Sequence, residues 1–176
     1  MGLTSGRIRG APTAGTGIRS ATLDDARAIA AIYNPYIADT VITFEEQPVK
    51  AADMARRIAA ILPRLPWLLL EQEGRVMGYA YASPWRERAA YRHAVETTIY
   101  LESRFAGQGM GKRLYDALLQ ELRKLGLHTA IGVIALPNPA SVALHEKCGF
   151  RKVGHLAEPG WKFDRWVDVG YWQLML

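Results

Sequence analysis

Residues 94–126 read AVETTIYLESRFAGQGMGKRLYDALLQELRKLG. Ala94–Leu101 is rich in β-branched and aromatic residues, which favour an extended strand. The turn Ala106-Gly107-Gln108-Gly109-Met110-Gly111 follows. Leu114, Leu118, Leu119, Leu122 and Leu125 then recur at helical spacing, and Gly126 closes the run. The stretch is therefore a strand, a glycine-rich turn and an amphipathic helix. Backbone N–H groups at the start of such a helix, with no side chains before them, make an anion cradle. Gly107-x-Gly109 alone is weak evidence for one. Lys112 stands where the third glycine of a dinucleotide loop belongs, and the phosphate-loop pattern is also absent. A plain strand–helix turn that uses glycine for tightness explains the same residues.

The flanking segments supply the remaining layers. Ile18–Ala21 reads as a short strand, and Thr22 as the cap of a helix over residues 23–33, ended by Asn34-Pro35. Residues 34–47 read as a loop with a short extended piece. Pro48 starts a second helix with Met54, Ile58, Ile61 and Leu62 on one face. Trp67–Glu71 and Val76–Ala82, around Glu73-Gly74, form a β-hairpin. Residues 83–92 are a loop dense in arginine and aromatics. Beyond Gly126 come a strand over Thr129–Ala135, a short helix over Pro139–Cys148, and strands over 150–155 and 166–174. The order β-α-α-β-β-β-α-β-α-β-β has no repeat and no boundary. It describes one α/β or α+β domain with a mixed sheet over residues 18–176. Residues 1–17, rich in Gly, Thr, Ala and Pro, read as a flexible tail.

Composition narrows the function. A chain of 176 residues, 49% hydrophobic and 22% charged, buries a sizeable core without disulfides or metals. Cys148 is the single cysteine, so neither an internal disulfide nor a cysteine-based zinc site can form. That fits a reducing, cytoplasmic setting. Arg7, Arg9 and Arg19 account for three of the five net positive charges, and no basic run or helix exists. Nucleic acid is therefore not the expected partner. No stretch approaches the roughly 18 to 20 apolar residues of a membrane span, and the N-terminal arginines precede no apolar signal core. His93, His128 and His155 lack metal-ligand spacing, and no metal is expected.

Downstream of the glycine-rich turn the chain reads Asn138-x-x-Ser141-x-x-x-His145-x-x-x-Gly149-Phe150. With Ala106–Gly111, this resembles the GNAT superfamily of N-acetyltransferases. Two positions depart from the family pattern: Ala106 stands where Arg or Gln is usual, and His145 where many members carry Tyr. Pro84-Trp85-Arg86-x-Arg88-x-Ala90-Tyr91, Val95-Glu96-x-Thr98-x-Tyr100 and Trp166-x-Asp168-Val169-Gly170-x-Trp172-Gln173 narrow the likeness. They are similar to the phosphinothricin and methionine sulfoximine acetyltransferases, over about Ile18 to Leu174.

The resemblance implies a mostly antiparallel sheet, splayed between strands four and five and flanked by about four helices. It implies acetyl-CoA as co-substrate. The pantetheine arm would pair with the backbone of Ile99, Tyr100 and Leu101. The pyrophosphate would sit on Gly107, Gln108, Gly109, Met110, Gly111 and Lys112, with Asn138 and Ser141 beside the arm. Lys112 is equally an ordinary exposed helix lysine. The resemblance also implies a homodimer.

Acetyl transfer to an amine requires that the ammonium first lose a proton. Glu96 is the expected general base, matching the family's; a solvent-facing or arginine-paired strand glutamate is the bland alternative. His145 is a second candidate, as base or as proton donor to the leaving thiolate, against a cavity-capping role. Cys148, at a helix end, is expected to be a buried thiol rather than a nucleophile. Arg86 and Arg88 suit an acceptor with an oxyanion, since guanidinium binds such groups in bidentate fashion, or else form a solvated loop. Tyr36, Phe44 and Tyr91 are expected to wall the acceptor pocket. Trp161, Phe163 and Trp166 are expected in the core or at a subunit contact. The reading is a small-molecule N-acetyltransferase. Its alternatives are a peptide or protein N-terminal acetyltransferase and a non-catalytic acyl-CoA-binding sensor.

Overall fold

A computed structural model describes residues 15–176. The expected tail lies outside the described residues up to position 14. Seven strands and four helices alternate as β1 Gly17–Ser20, α1 Ala26–Asp39, α2 Ala51–Ile61, β2 Trp67–Gln72, β3 Arg75–Pro84, β4 Ala94–Leu101, α3 Met110–Lys124, β5 Thr129–Leu136, α4 Pro139–Lys147, β6 Arg151–Lys162 and β7 Arg165–Met175. They form one sheet in the order β1-β2-β3-β4-β5-β7-β6. Every neighbouring pair is antiparallel except β4 and β5.

Each helix is placed by its apolar face. On α3, Leu114, Leu118, Leu119 and Leu122 are buried against Leu70, Met77, Ala80, Val95 and Ala130 of the sheet. Each fully buried leucine contributes roughly 1.5–3 kcal/mol. On the opposite face, Ile29, Ile32, Tyr33 and Ile37 of α1 and Met54 and Ile58 of α2 enclose Trp67, Leu69 and Tyr79. Strand β4 separates the two cores by alternation. Val95 packs towards α3, and Thr97 Oγ1 lies 2.6 Å from the Tyr115 hydroxyl on that helix. Glu96, Thr98 and Tyr100 therefore point to the α1–α2 side.

Three expectations are corrected. Residues 23–25 form a 3-10 turn, with Asp25 Oδ2 accepting the Thr22 amide at 2.8 Å, and the α-helix starts only at Ala26. That helix does not stop at Asn34-Pro35 but runs on to Asp39. The Asn34 side chain accepts from Val49 N at 2.8 Å and donates to Val49 O at 3.1 Å, while Ile37 beyond the proline is buried. These tertiary contacts outweigh the one helical donor that proline removes. The last hairpin is also longer than expected. β6 continues to Lys162 through an irregular pairing between Leu156 and Gly160, where Glu158 is left-handed at φ 55°. That interruption hides a strand from pattern reading.

Candidate active site in the splay between β4 and β5

β4 and β5 are joined only through Ala94, Val95 and Glu96, opposite Thr129, Ala130 and Ile131. Beyond Glu96, β4 keeps its partner β3 on one side as far as Leu101 and, among the described residues, has no strand partner on the other. A strand edge of this kind accepts an extended polar chain by main-chain hydrogen bonding. Glu96 stands at the apex of the gap. It is half-buried, and burial raises its carboxyl above the ordinary range, opposed by the charge of Arg86. A carboxylate whose pKa is raised in this way accepts a proton more readily than a free one.

The floor beside Glu96 is aromatic. Trp67 and Tyr81 stack at 4.1 Å, Tyr79 lies 5.6 Å from Tyr100, and Tyr33 and Tyr36 each meet Tyr100 at 5.0 Å. Of these residues only Tyr36 was expected as part of a pocket. The alternation of Tyr79 and Tyr81 in β3 was the available signal, but register alone aligns them with Thr98 and Tyr100. Tyr36 donates to Leu101 O at 2.5 Å. Phe44 is exposed, with its ring against Gly160. Arg86 is exposed and lies 5.1 Å over the Trp85 ring, on the loop that leads into β4. Arg88 and Tyr91 are exposed on the same loop. The structure thus gathers Glu96, Arg86 and Tyr36 around β4. It leaves Arg88 and Tyr91 on the surface.

At the other end of β4, Gly107 and Gly109 have left-handed backbones at φ 78° and 77°, conformations that favour glycine. A Cβ added at either would meet nothing within 4 Å, so the space before the first turn of α3 is open. The amides of Met110, Gly111 and Lys112 have no helical acceptors there. This open cradle fits a phosphate group. Lys112 Nζ instead binds Asp116 at 2.6 Å, and Gln108 Nε2 binds Arg104 O at 3.1 Å. Asn138 caps α4, its Oδ1 accepting from Ser141 N at 3.1 Å. Beside it a cavity of about 510 Å³ is lined by Leu136, Pro137, Asn138, Pro139, Val142 and Asp168.

His145 does not face the cleft as expected. It is 3% exposed and packs edge-on against Tyr115 and Phe150, with Nδ1 on Ser141 O at 2.8 Å. Its ring fills the space a Cβ on Gly132 would need, and burial lowers its pKa. These contacts belong to a core histidine. Cys148 is half-buried, and burial pushes its thiol up to about 11, which leaves little thiolate for nucleophilic attack. Among the described residues, no three His, Cys, Asp or Glu side chains gather as a metal site. No described helix is long and apolar enough to cross a membrane.

Comparison with known proteins agrees with this geometry. An acetyltransferase (GNAT) domain model matches residues 18–170. The phosphinothricin N-acetyltransferase of Streptomyces viridochromogenes is 40% identical over 156 residues, 89% of this chain and 85% of that protein. The L-methionine sulfoximine/L-methionine sulfone acetyltransferase of Pseudomonas aeruginosa is 36% identical over 164 residues, 90% of this chain and 94% of the relative. The crystal structure of a phosphinothricin acetyltransferase from Sinorhizobium meliloti in complex with acetyl-CoA superposes with a TM-score of 0.88 at 39% identity. It covers 92% of this chain and 88% of that one. With a matching overall fold and a family model spanning nearly the whole described chain, this protein belongs to the GNAT acetyltransferases.

Proposed function

We propose that the chain transfers the acetyl group of acetyl-CoA directly to the α-amine of a small amino-acid-like acceptor of the phosphinothricin, methionine sulfoximine or methionine sulfone type, with Glu96 as general base. The observation that carries this reading is the position of Glu96, half-buried at the last residue where β4 and β5 still pair. The names of the relatives support the acceptor class.

The residues divide the work. The open edge of β4, at Ile99, Tyr100 and Leu101, receives the pantetheine arm, and the amides of 107–112 receive the pyrophosphate. Bound there, acetyl-CoA would supply a thioester carbon to which the amine nitrogen bonds as the C–S bond breaks; the coenzyme leaves as its thiolate and takes up the proton that the acylated nitrogen sheds. The Glu96 carboxylate takes the ammonium proton first, directly or through a water, and so exposes the nitrogen lone pair. Arg86, close enough in charge to act on Glu96, holds the acceptor's oxyanion or sulfone oxygens. Tyr36 and Phe44 wall the acceptor, and Asn138 borders the arm.

Two further parts of the reading rest on surface and composition. Trp161, Phe163 and Trp166 are 50%, 54% and 57% exposed and lie together at the tip of the β6–β7 hairpin. They are therefore not core, and a patch of this kind suits a subunit contact in a homodimer. A lone cysteine suits work in the cytoplasm. An acceptor screen by thiol release tests the whole reading. Turnover should be fastest with phosphinothricin, methionine sulfoximine or methionine sulfone. Turnover with a peptide N-terminus alone would replace the acceptor class, and binding of acetyl-CoA without turnover of any amine would make the chain a sensor.

A further inference from the structure

The two halves of the sheet that part beyond Glu96 are bridged a second time, by the connection between α1 and α2. Val41, in the connection between α1 and α2, packs with Ala135 of β5 and Val167 of β7. The Phe44 ring rests on Gly160 of β6, where an added methyl carbon would lie 2.3 Å from it. Next to this seam stands Lys162, the last residue of β6. It is 3% exposed, and its ammonium donates to Ile37 O and to Thr43 O, each at 2.8 Å.

Both carbonyls belong to the acceptor side. Ile37 follows Tyr36, whose hydroxyl holds Leu101 at the far end of β4. Thr43 Oγ1 lies 2.6 Å from the Tyr33 hydroxyl, and Tyr33 meets Tyr100 edge-on at 5.0 Å. Fully buried lysines are rare, because an ammonium taken out of water costs free energy unless polar groups replace its hydration. An apolar side chain packs a seam without that cost. What the ammonium adds is direction: it ties two main-chain carbonyls, six residues apart, to one point on the opposite half of the sheet.

We propose that Lys162 is a positioning residue that pins the connection between α1 and α2 to the β6–β7 hairpin, and with it the side chains of Tyr36 and Phe44 that wall the acceptor. The proposal rests on the acceptor site described above. In Lys162→Met the apolar seam stays and the two charge-assisted contacts go. The acceptor KM should rise about ten- to a hundredfold. The kcat at saturating acceptor and the affinity for acetyl-CoA should stay close to wild type, since residues 107–112 do not touch the seam. Hydrogen exchange of the wild-type protein supplies a second arm that needs no variant and no acceptor. Amides of residues 40–46 and 160–166 should open together as one unit, whereas those of β1–β3 should stay protected. An unchanged acceptor KM in folded Lys162→Met overturns the proposal. So does a matching loss of acetyl-CoA affinity, which marks general damage to the fold. Independent opening of the two segments overturns it as well, and decides the matter if Lys162→Met does not fold. A wild-type protein that turns over none of the amino acids sinks the acceptor reading instead, and the exchange arm still tests the pin.

Discussion

Glu96 links two properties that a single substitution can separate. Burial makes its ionised form unfavourable, so the folded carboxyl titrates above its unfolded value. The stabilisation this gives is complete below the unfolded value and is lost as pH rises through the folded one. Ionisation of this carboxyl therefore burdens the fold. Glu96→Gln should lower kcat by roughly 10²–10⁴-fold, with partial recovery at high pH, where the free amine is abundant. The same variant should melt above wild type at neutral pH, and the gap should close near about pH 4. A differential scanning measurement across pH reads the second effect without any substrate. Retention of more than about half the activity would move the base elsewhere. Arg86 modulates this group, because its charge opposes the rise. Arg86→Ala should shift the acid limb of kcat/KM to higher pH and weaken acceptors that carry an oxyanion. Arg88→Ala, on the surface, should leave that limb in place.

Among the elements, the loop before α3 and the Thr97–Tyr115 contact between β4 and α3 make separable contributions. Gly109→Ala places a methyl in open space, so its cost to folding is the left-handed backbone alone, about 1 kcal/mol. It should weaken acetyl-CoA by at least about tenfold in calorimetry, because the methyl stands before the amides that hold phosphate. Unchanged affinity would move the cofactor off this loop. Thr97→Val leaves the buried Tyr115 hydroxyl without its partner and should cost roughly 1–3 kcal/mol in urea melts. These two elements were also the most legible in sequence. β4 carries strong β propensity and α3 a clear helical period, so local residues decide them. The rest was hidden by distance. Pro35 marks a helix end in any local reading, and distant contacts, such as those of Asn34 with Val49 fifteen residues away, hold the chain helical past it. Glu158-Pro159-Gly160 reads as a turn, and this masked both the length of β6 and the buried position of Lys162. His145 occupies a family position associated with chemistry. Its burial depends on Gly132, Tyr115 and Phe150, which lie outside its own helix.

For the whole molecule, the exposed aromatics at the hairpin tip bear on assembly. A Trp161→Ser, Trp166→Ser double variant should sediment as a monomer if wild type sediments as a dimer, with monomer stability little changed because both rings are about half exposed. The far edge of the sheet responds to acid. Asp25, held at about 2 chiefly by the Arg19 guanidinium, ties β1 to the turn before α1. Its depressed value means that the stabilisation is present above the ordinary carboxylate range and is lost as pH falls through about 2. Asp25→Asn should therefore be less stable than wild type at neutral pH and equal to it in strong acid. The unpaired side of β4 has a consequence for handling the protein. A strand with open donors and acceptors recruits whatever extended chain comes near, including a partly opened copy of itself. Light scattering during heating should show earlier onset without acetyl-CoA than with it, by more than the shift in melting temperature accounts for. Shelf life would then depend on keeping that edge covered, and a purification that strips the ligand would yield the batch most prone to precipitate.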